Sequence, residues 1–380
     1  MKGLEEDLRL FLVTRVDGTD VAPPLEADQA AERRREIFPA AEKRGVPIGG
    51  LAAGFVAVIA IVWLLFGREA PSPGDGDRGL AESVARIDVE TGRVDATVFI
   101  GAPGGDRLED LSFIDHPIAV GEGGVWLLRP PSLIHIDPLH EEIRSGTIEV
   151  GAAFDQTVVT GAGSVWVLTD RTVHRIHPGT DVPEEFFVLP APGGVVAANR
   201  PSLAVGDAVW VGGTDGIVFR LDPRTGTREQ RDVGSTVDGL AATQHSLWVA
   251  DSFAGEVIPL DPLSLRPGRE RVEIDGNIDQ IVGSDTDVWI LDQQVGVVTQ
   301  IDAVSGTERG SARVGHEPTD MVVGLGAVWV GDRDGSVYRI DTSTLAVQAF
   351  PIGAEVFGVG VDEAAGTVWV YLGRTVRAGG

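Results

Sequence analysis

The sequence predicts an all-β protein, a seven-bladed β-propeller with four-stranded blades, behind one N-terminal transmembrane helix. Seven tryptophans follow one another at spacings of 40, 44, 38, 41, 40 and 40 residues. They are Trp126, Trp166, Trp210, Trp248, Trp289, Trp329 and Trp369. A fixed period of this length indicates stacked supersecondary units. Ahead of these repeats, residues 46–66 contain no charged side chain and are long enough to cross a bilayer.

Residues 1–45 form a charged segment that we expect to be a short cytoplasmic tail. Leu4, Leu8, Phe11 and Leu12 fall at helical spacing, which favours a short amphipathic helix at its start. Such a helix would either dock onto a cytoplasmic partner or remain a frayed tail. The residues leave both alternatives open.

Residues 46–66, VPIGGLAAGFVAVIAIVWLLF, predict an uncleaved membrane anchor. A helix of this length covers roughly the 30 Å of the hydrocarbon layer. Basic residues are concentrated before the span, so the positive-inside rule places the N-terminus in the cytoplasm. The spacing Gly50-x-x-x-Gly54 would let two such helices approach closely, although it is common by chance in glycine-rich spans.

Residues 67–80, GREAPSPGDGDRGL, predict a flexible stalk because they are rich in Pro, Gly and Asp and lack periodicity. We therefore expect a single-pass cell-membrane protein whose propeller, residues 81–380, is extracytoplasmic.

Each repeat predicts four short β-strands. The stretch from Pro318 to Gly353 contains the apolar runs MVVG, AVWVG, SVYRI and VQAFPI, separated by Gly, Asp and Ser/Thr turns. No run reaches ten residues before a breaker, which excludes a helix. The second run, around Trp329, is apolar on both faces, as expected for a sheet buried between two neighbouring sheets. Four strands in about 40 residues are typical of a propeller blade.

The number of blades follows from the unmatched ends. A second landmark, an aliphatic residue followed by Asp, comes 11 to 13 residues after most of the tryptophans. The last tryptophan strand, around Trp369, lacks this partner, and the first Ile-Asp strand, Ile87-Asp88, has no tryptophan strand before it. Pairing the two ends makes a seventh, mixed blade that closes the ring and removes the exposed edges.

Composition excludes several classes of function. The formal charge is −26, and the chain has no cysteine, which excludes disulfides and thiolate metal sites. Residues 1–45 contain 8 of the 31 basic and 10 of the 57 acidic residues, and residues 46–66 contain none, which leaves 23 and 47 for residues 67–380. Such a negative field disfavours nucleic acid and favours cationic ligands or basic partner proteins.

The repeat resembles a known family. The segments Leu203–Val211, LAVGDAVWV, and Val218–Gly226, VFRLDPRTG, resemble YVTN/NHL-like propellers, especially the streptogramin B (virginiamycin B) lyase-like superfamily. The resemblance covers roughly residues 82–376. It implies a funnel on one face where ligands bind. The anchor with its short cytoplasmic tail, and a composition that is rich in alanine and has only arginine as its basic residue in the propeller, resemble membrane-anchored actinobacterial members.

Ten aspartates are the candidate ligand-binding residues, because the two loop sets that carry them share one face of a propeller. One set follows the tryptophans: Asp170, Asp215, Asp251, Asp292 and Asp332. The other precedes the innermost strands: Asp115, Asp155, Asp238, Asp279 and Asp320. Two such rings would bind a cation, a polyamine or a basic partner, and would also suit a divalent metal. The alternative is ordinary turn chemistry, in which aspartate caps a turn.

The leading functional prediction is a non-catalytic binding or sensor module without a required cofactor. The alternative comes from the resemblance, which implies a histidine–glutamate cluster and a magnesium ion at the funnel. His316, Glu317 and His116 are the residues placed to form it. This alternative requires the two histidines to face each other within about 10 Å across the funnel, close enough to share one substrate or metal. No hydrolase, metalloprotease or nucleotide-binding motif is present.

Overall fold

The computed structural model describes residues 82–100, 114–144, 147–151, 156–190, 202–213, 216–234, 236–268 and 270–375. These residues form seven β-sheets, which we number as blades I to VII. The predicted tail, anchor and stalk lie outside the described residues. Within the described ranges, no helix is long and apolar enough to span a membrane.

The strands follow in chain order. The mixed blade VII receives β1 (Ser83–Ile87) and β2 (Val94–Phe99). The short β3 (Ile114–His116) precedes blade I, which consists of β4 (Ile118–Gly121), β5 (Gly124–Arg129), β6 (Ser132–Asp137), β7 (Glu142–Ile143) and β8 (Ile148–Glu149). Blade II contains β9 (Gln156–Gly161), β10 (Ser164–Thr169), β11 (Thr172–Ile176) and β12 (Pro183–Val188). Blade III contains β13 (Ser202–Val205), β14 (Val209–Gly212), β15 (Ile217–Leu221) and β16 (Arg228–Asp232).

The second half of the chain repeats the same plan. Blade IV contains β17 (Gly239–Ala242), β18 (Leu247–Asp251), β19 (Glu256–Leu260) and β20 (Val272–Glu273). Blade V contains β21 (Gln280–Gly283), β22 (Asp287–Asp292), β23 (Val297–Asp302) and β24 (Glu308–Arg313). Blade VI contains β25 (Pro318–Gly324), β26 (Ala327–Asp332), β27 (Ser336–Asp341) and β28 (Val347–Pro351). Blade VII begins with β29 (Ala354–Asp362) and β30 (Thr367–Thr375).

The predicted closure is confirmed. Blade VII has the order β2-β1-β30-β29, so the two ends of the described chain share one sheet. Ser83 pairs with Leu372 and Ile87 with Val368, which makes β1 and β30 antiparallel neighbours. The innermost strand β29 contacts β25 on one side and β4 on the other, so the ring of inner strands is continuous. Seven blades of antiparallel strands, with β3 added in parallel to β9 of blade II, therefore form one closed propeller.

The tryptophan strands hold neighbouring blades together, as predicted. Trp329 is fully buried and packs with Phe350 and with residues of blade VII. The flanking Val328 and Val330 face the other way, where they join the cluster that contains Trp289 of blade V. Both faces of this strand are therefore buried, which explains why it is apolar throughout. Burial of this strand stabilises the fold, because each Å² of apolar surface removed from water contributes about 25 cal/mol to the free energy of folding.

Strand register defines two faces of the ring. In blade VI, Pro318 pairs with Asp332, Asp332 with Ser336, and Ser336 with Pro351, so all four lie at one end of the sheet. The turns between second and third strands and the connections between blades therefore share one face, which we call the upper face. The turns between first and second and between third and fourth strands lie on the opposite, lower face.

The Ile-Asp landmark caps the lower turns. In each case one carboxylate oxygen accepts the backbone N–H groups of the second and third residues that follow, which is the geometry of an Asx turn. The residues are Asp88, Asp137, Asp222, Asp261, Asp302 and Asp341. These hydrogen bonds lower the pKa of each carboxyl. Blade II has His177 at the equivalent position.

Acid should weaken the propeller through these turns. Hydrogen bonds from His140 and Ser343 are the main causes that lower the pKa of Asp137 and Asp341 to about 2, from an ordinary 3.8. Because the folded pKa lies below the unfolded one, the stabilisation is complete above pH ~4 and is lost as the pH falls through ~2. The midpoint of thermal unfolding should fall steeply across this window.

The substitution Asp341→Asn supplies the control, because it removes one of the carboxylates that titrate in this pH range. The unfolding midpoint of this variant should fall less steeply between pH 4 and pH 2. An unfolding midpoint that does not change between pH 4 and pH 2 would contradict this account. Asp332 acts in the opposite direction, because burial raises its pKa and acid relieves that cost.

Candidate functional site

Three of the predicted aspartates are buried at the upper ends of second strands. Asp251, Asp292 and Asp332 are 4%, 8% and 0% exposed. Each accepts a backbone N–H from the turn that follows it, from Ala254, Gln294 and Asp334 respectively. Three members of the set that follows the tryptophans are therefore carboxylates that cap turns inside the fold.

The same three carboxylates also bind the connection from the preceding blade. Asp292 accepts the N–H of Asn277 at 2.8 Å, and Asp332 accepts the N–H of Glu317 at 3.1 Å. Asp251 accepts the hydroxyl of Thr236 at 2.5 Å. Burial raises the pKa of Asp332, and the negative charge of Asp334 adds to the rise. These contacts correspond to the turn-capping alternative and keep the three side chains away from a bulky ligand.

Asp238 and Asp279 are placed differently, because both remain accessible on the upper face. Asp238 is half-buried and accepts the N–H and hydroxyl of Ser252 at 2.9 and 2.5 Å. Asp279 is exposed and accepts the N–H of Gln293 at 2.8 Å. The two aspartates occupy equivalent positions in blades IV and V, each just before the first strand.

Between these two aspartates the upper face contains a cavity of about 360 Å³. Its walls carry carboxylates, amides, a hydroxyl and two isoleucine side chains, and no lysine, arginine or histidine. The lining residues are Asp238, Gly239, Ala250, Ser252, Asn277, Ile278, Asp279, Gln280, Ile281 and Gln293. This volume is at the lower end of the ~300–1,000 Å³ typical of ligand sites.

Small residues in blade IV leave this space. Gly239 of the first strand pairs with Ala250 of the second, whereas the equivalent pair in blade V is Gln280 and Leu291. Ile281 packs so closely on Gly239 that a Cβ there would lie 2.6 Å from its Cγ2. At the wall of the cavity, Ile281 of blade V therefore packs directly on the backbone of Gly239 in blade IV.

A buried polar cluster lies at one side of the cavity. Asp320 of blade VI is fully buried, and its Oδ1 accepts a hydrogen bond of 2.8 Å from Nε2 of Gln280. The same oxygen lies 2.8 Å from Nδ1 of His116, which approaches from the segment before blade I. The other oxygen accepts the N–H of Val359 in blade VII, at 2.9 Å. One carboxylate thus links residues of blades V, VI and VII with His116 of β3, and Gln280 connects this cluster to the cavity wall.

The structure describes the side chains of three of the remaining predicted residues, and none of the three lines the cavity. Asp170 is exposed in a two-residue turn with φ of 53°, a conformation that aspartate adopts more readily than most residues. Asp115 belongs to β3 and is described only by its backbone, and Asp155 and Asp215 lie outside the described residues. His316 and Glu317 are exposed, and their side chains form no hydrogen bond or ion pair with any described residue.

The enzyme alternative and the metal stay predictions. His116 has an orienting carboxylate in Asp320, as a general base requires, but His316 and Glu317 are not hydrogen-bonded into that cluster. Among the described residues, no three His, Asp or Glu side chains are grouped so that they could hold a metal ion.

Sequence reasoning missed the neutral members of the site, which are Ser252, Asn277, Gln280 and Gln293. One signal was available. Gln280 and Asp320 stand immediately before the apolar core of their first strands, at equivalent positions of the repeat. A polar residue at the same position of two otherwise apolar inner strands indicates that these strands share a polar layer.

Comparisons with known proteins support the fold. The chain matches no family model and no curated protein sequence. Among solved structures, a streptogramin B lyase is 16% identical, with 68% of this chain and 90% of that chain covered and a TM-score of 0.55. The WD40 domain of Neurospora crassa Pan2 is 11% identical, with 78% and 97% covered and a TM-score of 0.56. BBS1N in complex with ARL6DN is 14% identical, with 70% and 93% covered and a TM-score of 0.50.

Identities this low show a shared fold and carry no activity or ligand over to this chain. The chain is similar to β-propellers that include an enzyme, a WD40 domain and a protein in complex with a partner. The predicted resemblance is thus supported at the level of the β-propeller.

Proposed function

We propose that this protein is a binding module without catalytic activity, and that its upper face receives a cationic ligand or the basic segment of a partner protein. The observation that carries the proposal is the cavity between blades IV and V. Two carboxylates, from Asp238 and Asp279, line one space that contains no cationic side chain. The net charge of −26 for the whole chain would draw such a ligand toward the protein.

The contacts within the wall support a preformed site. Asp238 and Asp279 are each held by the residue after the buried aspartate of a second strand, Ser252 and Gln293. Gln293 also donates through its side chain to the carbonyl of Thr319 in blade VI. Because the carboxylates are fixed by backbone donors, a ligand need not order them on binding, and preorganisation of this kind favours affinity. BBS1N, a propeller of the same fold, is found in complex with ARL6DN, which agrees with protein binding on such a scaffold.

The expected result is that cations bind at this cavity. Titration calorimetry of the full-length chain with spermidine and with hexalysine should give saturable binding, and hexaglutamate should give none. The double variant Asp238→Asn/Asp279→Asn should weaken binding at least about tenfold, since it removes two carboxylates from one site.

The matched control removes two charges elsewhere. Asp207 and Asp285 are exposed in turns of the lower face, and neither side chain forms a hydrogen bond or ion pair with a described residue. Asp207→Asn/Asp285→Asn changes the net charge equally and should leave binding unchanged. Equal losses in both double variants would show that only the overall charge matters, and this result would overturn the site.

We propose further that residues 46–66 tether the propeller to the extracytoplasmic side of the cell membrane, with residues 1–45 in the cytoplasm. The 21-residue uncharged span and the basic residues before it support this topology.

The absence of cysteine makes the topology directly measurable. Asp207→Cys should react with a membrane-impermeant maleimide on intact cells, because its turn is exposed. Ala30→Cys should react only after the cells are lysed. The reverse labelling pattern, or labelling of both variants on intact cells, would rule this topology out.

A further inference from the structure

Phe253 is an aromatic side chain presented to solvent, one residue along the chain from Ser252 of the cavity wall. It lies in the turn between β18 and β19 and is 94% exposed, the largest value among the exposed apolar side chains of the described residues. The preceding residue, Ser252, lines the cavity and binds Asp238. An aromatic ring next to a cavity lined with carboxylates has the chemistry that a stacked cation requires.

The fold itself does not require an aromatic residue here. The equivalent turn of blade V has the same construction, with Asp292 capping it as Asp251 does. Both turns end on a glycine in the left-handed region, Gly255 at φ 70° and Gly296 at φ 66°. The residue equivalent to Phe253 in that turn is Gln294, which is polar and exposed. Turn geometry therefore does not account for a phenylalanine at position 253.

The cavity and this ring together fit one cation better than others. A guanidinium is planar, stacks on aromatic faces and pairs with carboxylates through two parallel hydrogen bonds, whereas an ammonium is a compact, strongly hydrated charge. Ile278 and Ile281 are 6% and 4% exposed and supply apolar wall for the methylene stem of such a side chain. The volume of about 360 Å³ suits a single long side chain rather than a folded element.

We propose that the cavity between blades IV and V recognises an arginine side chain in an exposed segment of a partner protein. Asp238 and Asp279 bind the guanidinium, Ile278 and Ile281 contact its stem, and Phe253 stacks beside it. This inference rests on the proposed function and narrows the cationic ligand to one chemical class.

The test uses three labelled peptides that differ only at the central residue, which is arginine, lysine or the neutral isostere citrulline. Fluorescence anisotropy with the full-length chain should show the arginine peptide binding about tenfold more tightly than the lysine peptide, since stacking and bidentate pairing are lost with lysine. The citrulline peptide should not bind measurably.

Variants separate this inference from the proposed function. Phe253→Ala should reduce the preference for arginine over lysine, because stacking is lost while the pairing of the guanidinium with the carboxylates persists. Val295→Ala, an exposed apolar residue in the neighbouring turn, should leave the preference intact. If Phe253→Ala keeps the full preference while Asp238→Asn/Asp279→Asn loses binding, the arginine site is wrong and the cation site stands. If Asp238→Asn/Asp279→Asn binds the arginine and lysine peptides as tightly as the unaltered chain does, the arginine site and the cation site are both wrong.

A further arm separates a peptide from a free small molecule. Free arginine should compete only at concentrations far above those of the arginine peptide, because contacts of the flanking residues would be missing. Competition at equal concentrations would overturn the partner-protein assignment.

Discussion

Replacing Trp329 by alanine is expected to lower the free energy of unfolding by about 3–5 kcal/mol. The side chain is fully buried between blades VI and VII, where it stacks on Phe350 with ring centroids 6.1 Å apart. Its indole N–H donates to the carbonyl of Gly324 at 3.1 Å, across the turn that joins the first two strands of the blade. The variant thus loses packing on one face and a buried hydrogen bond at the strand end.

Chemical denaturation followed by circular dichroism would measure this loss. Trp329→Phe should retain much of the packing and should cost only about 1–2 kcal/mol, mainly the orphaned Gly324 carbonyl and a smaller ring. Phe253→Ala provides the control, because removal of an exposed aromatic should change stability by no more than about 0.5 kcal/mol. Equal destabilisation by the Trp329 and Phe253 alanine variants would contradict the role assigned to the tryptophan strands.

The architecture could be predicted because its signals are local and repeated. Each Val-Trp-Val strand shows its burial in its own residues, and the spacing near 40 residues defines the unit without knowledge of contacts. Even the closure was predictable, since Ile87 and Trp369 mark strands that lack partners in their own repeats. Because the same local pattern is repeated around a ring, it is sufficient to predict the topology of the whole propeller.

The site was less predictable, because its geometry depends on contacts between distant segments. Asp292 and Asp279 look alike in the sequence, as aspartates beside a strand end. Asp292 is buried and accepts the N–H of Asn277 in the incoming connection, whereas Asp279 is exposed and accepts the N–H of Gln293. The residue type is compatible with both outcomes. Of the ten predicted ligands, Asp238 and Asp279 line the cavity, and the side chains of Asp115, Asp155 and Asp215 lie outside the described part of the chain.

Likewise, nothing in one repeat shows where the blades leave space. The cavity exists because blade IV has Gly239 opposite Ala250 and blade V supplies larger residues beside it. His116 meets Asp320 from 204 residues away, which no local pattern encodes. A comparison of inner-strand positions across blades would have pointed to Gln280 and Asp320 as a polar pair.

Replacing Asp320 by alanine is the second change with a large expected effect, again about 3–5 kcal/mol of unfolding free energy. The carboxylate is fully buried and accepts hydrogen bonds from the side chain of Gln280 and from the backbone of Met321 and Val359. Its removal leaves these donors in the interior without their acceptor, and His116 loses its contact. Asp320→Asn should also be destabilising, because its amide N–H₂ would face groups that are themselves donors.

A double-mutant cycle would show whether His116 acts through this carboxylate. His116→Ala and Asp320→Asn should have non-additive effects on stability, with a coupling energy of at least about 0.5 kcal/mol, since the two side chains are in direct contact. Strict additivity would contradict a hydrogen bond between them.

The same substitution connects the fold to the proposed site. Gln280 lines the cavity, and Asp320 fixes its amide at 2.8 Å, so Asp320 positions a wall residue without reaching the cavity itself. At a temperature where Asp320→Asn remains folded, it should bind the arginine peptide more weakly although no carboxylate of the cavity has changed. His116→Ala leaves the bond between Gln280 and Asp320 in place and should bind the peptide nearly as well as the unaltered chain. Equal affinities of all three proteins would mean that ligand binding does not depend on the orientation of Gln280.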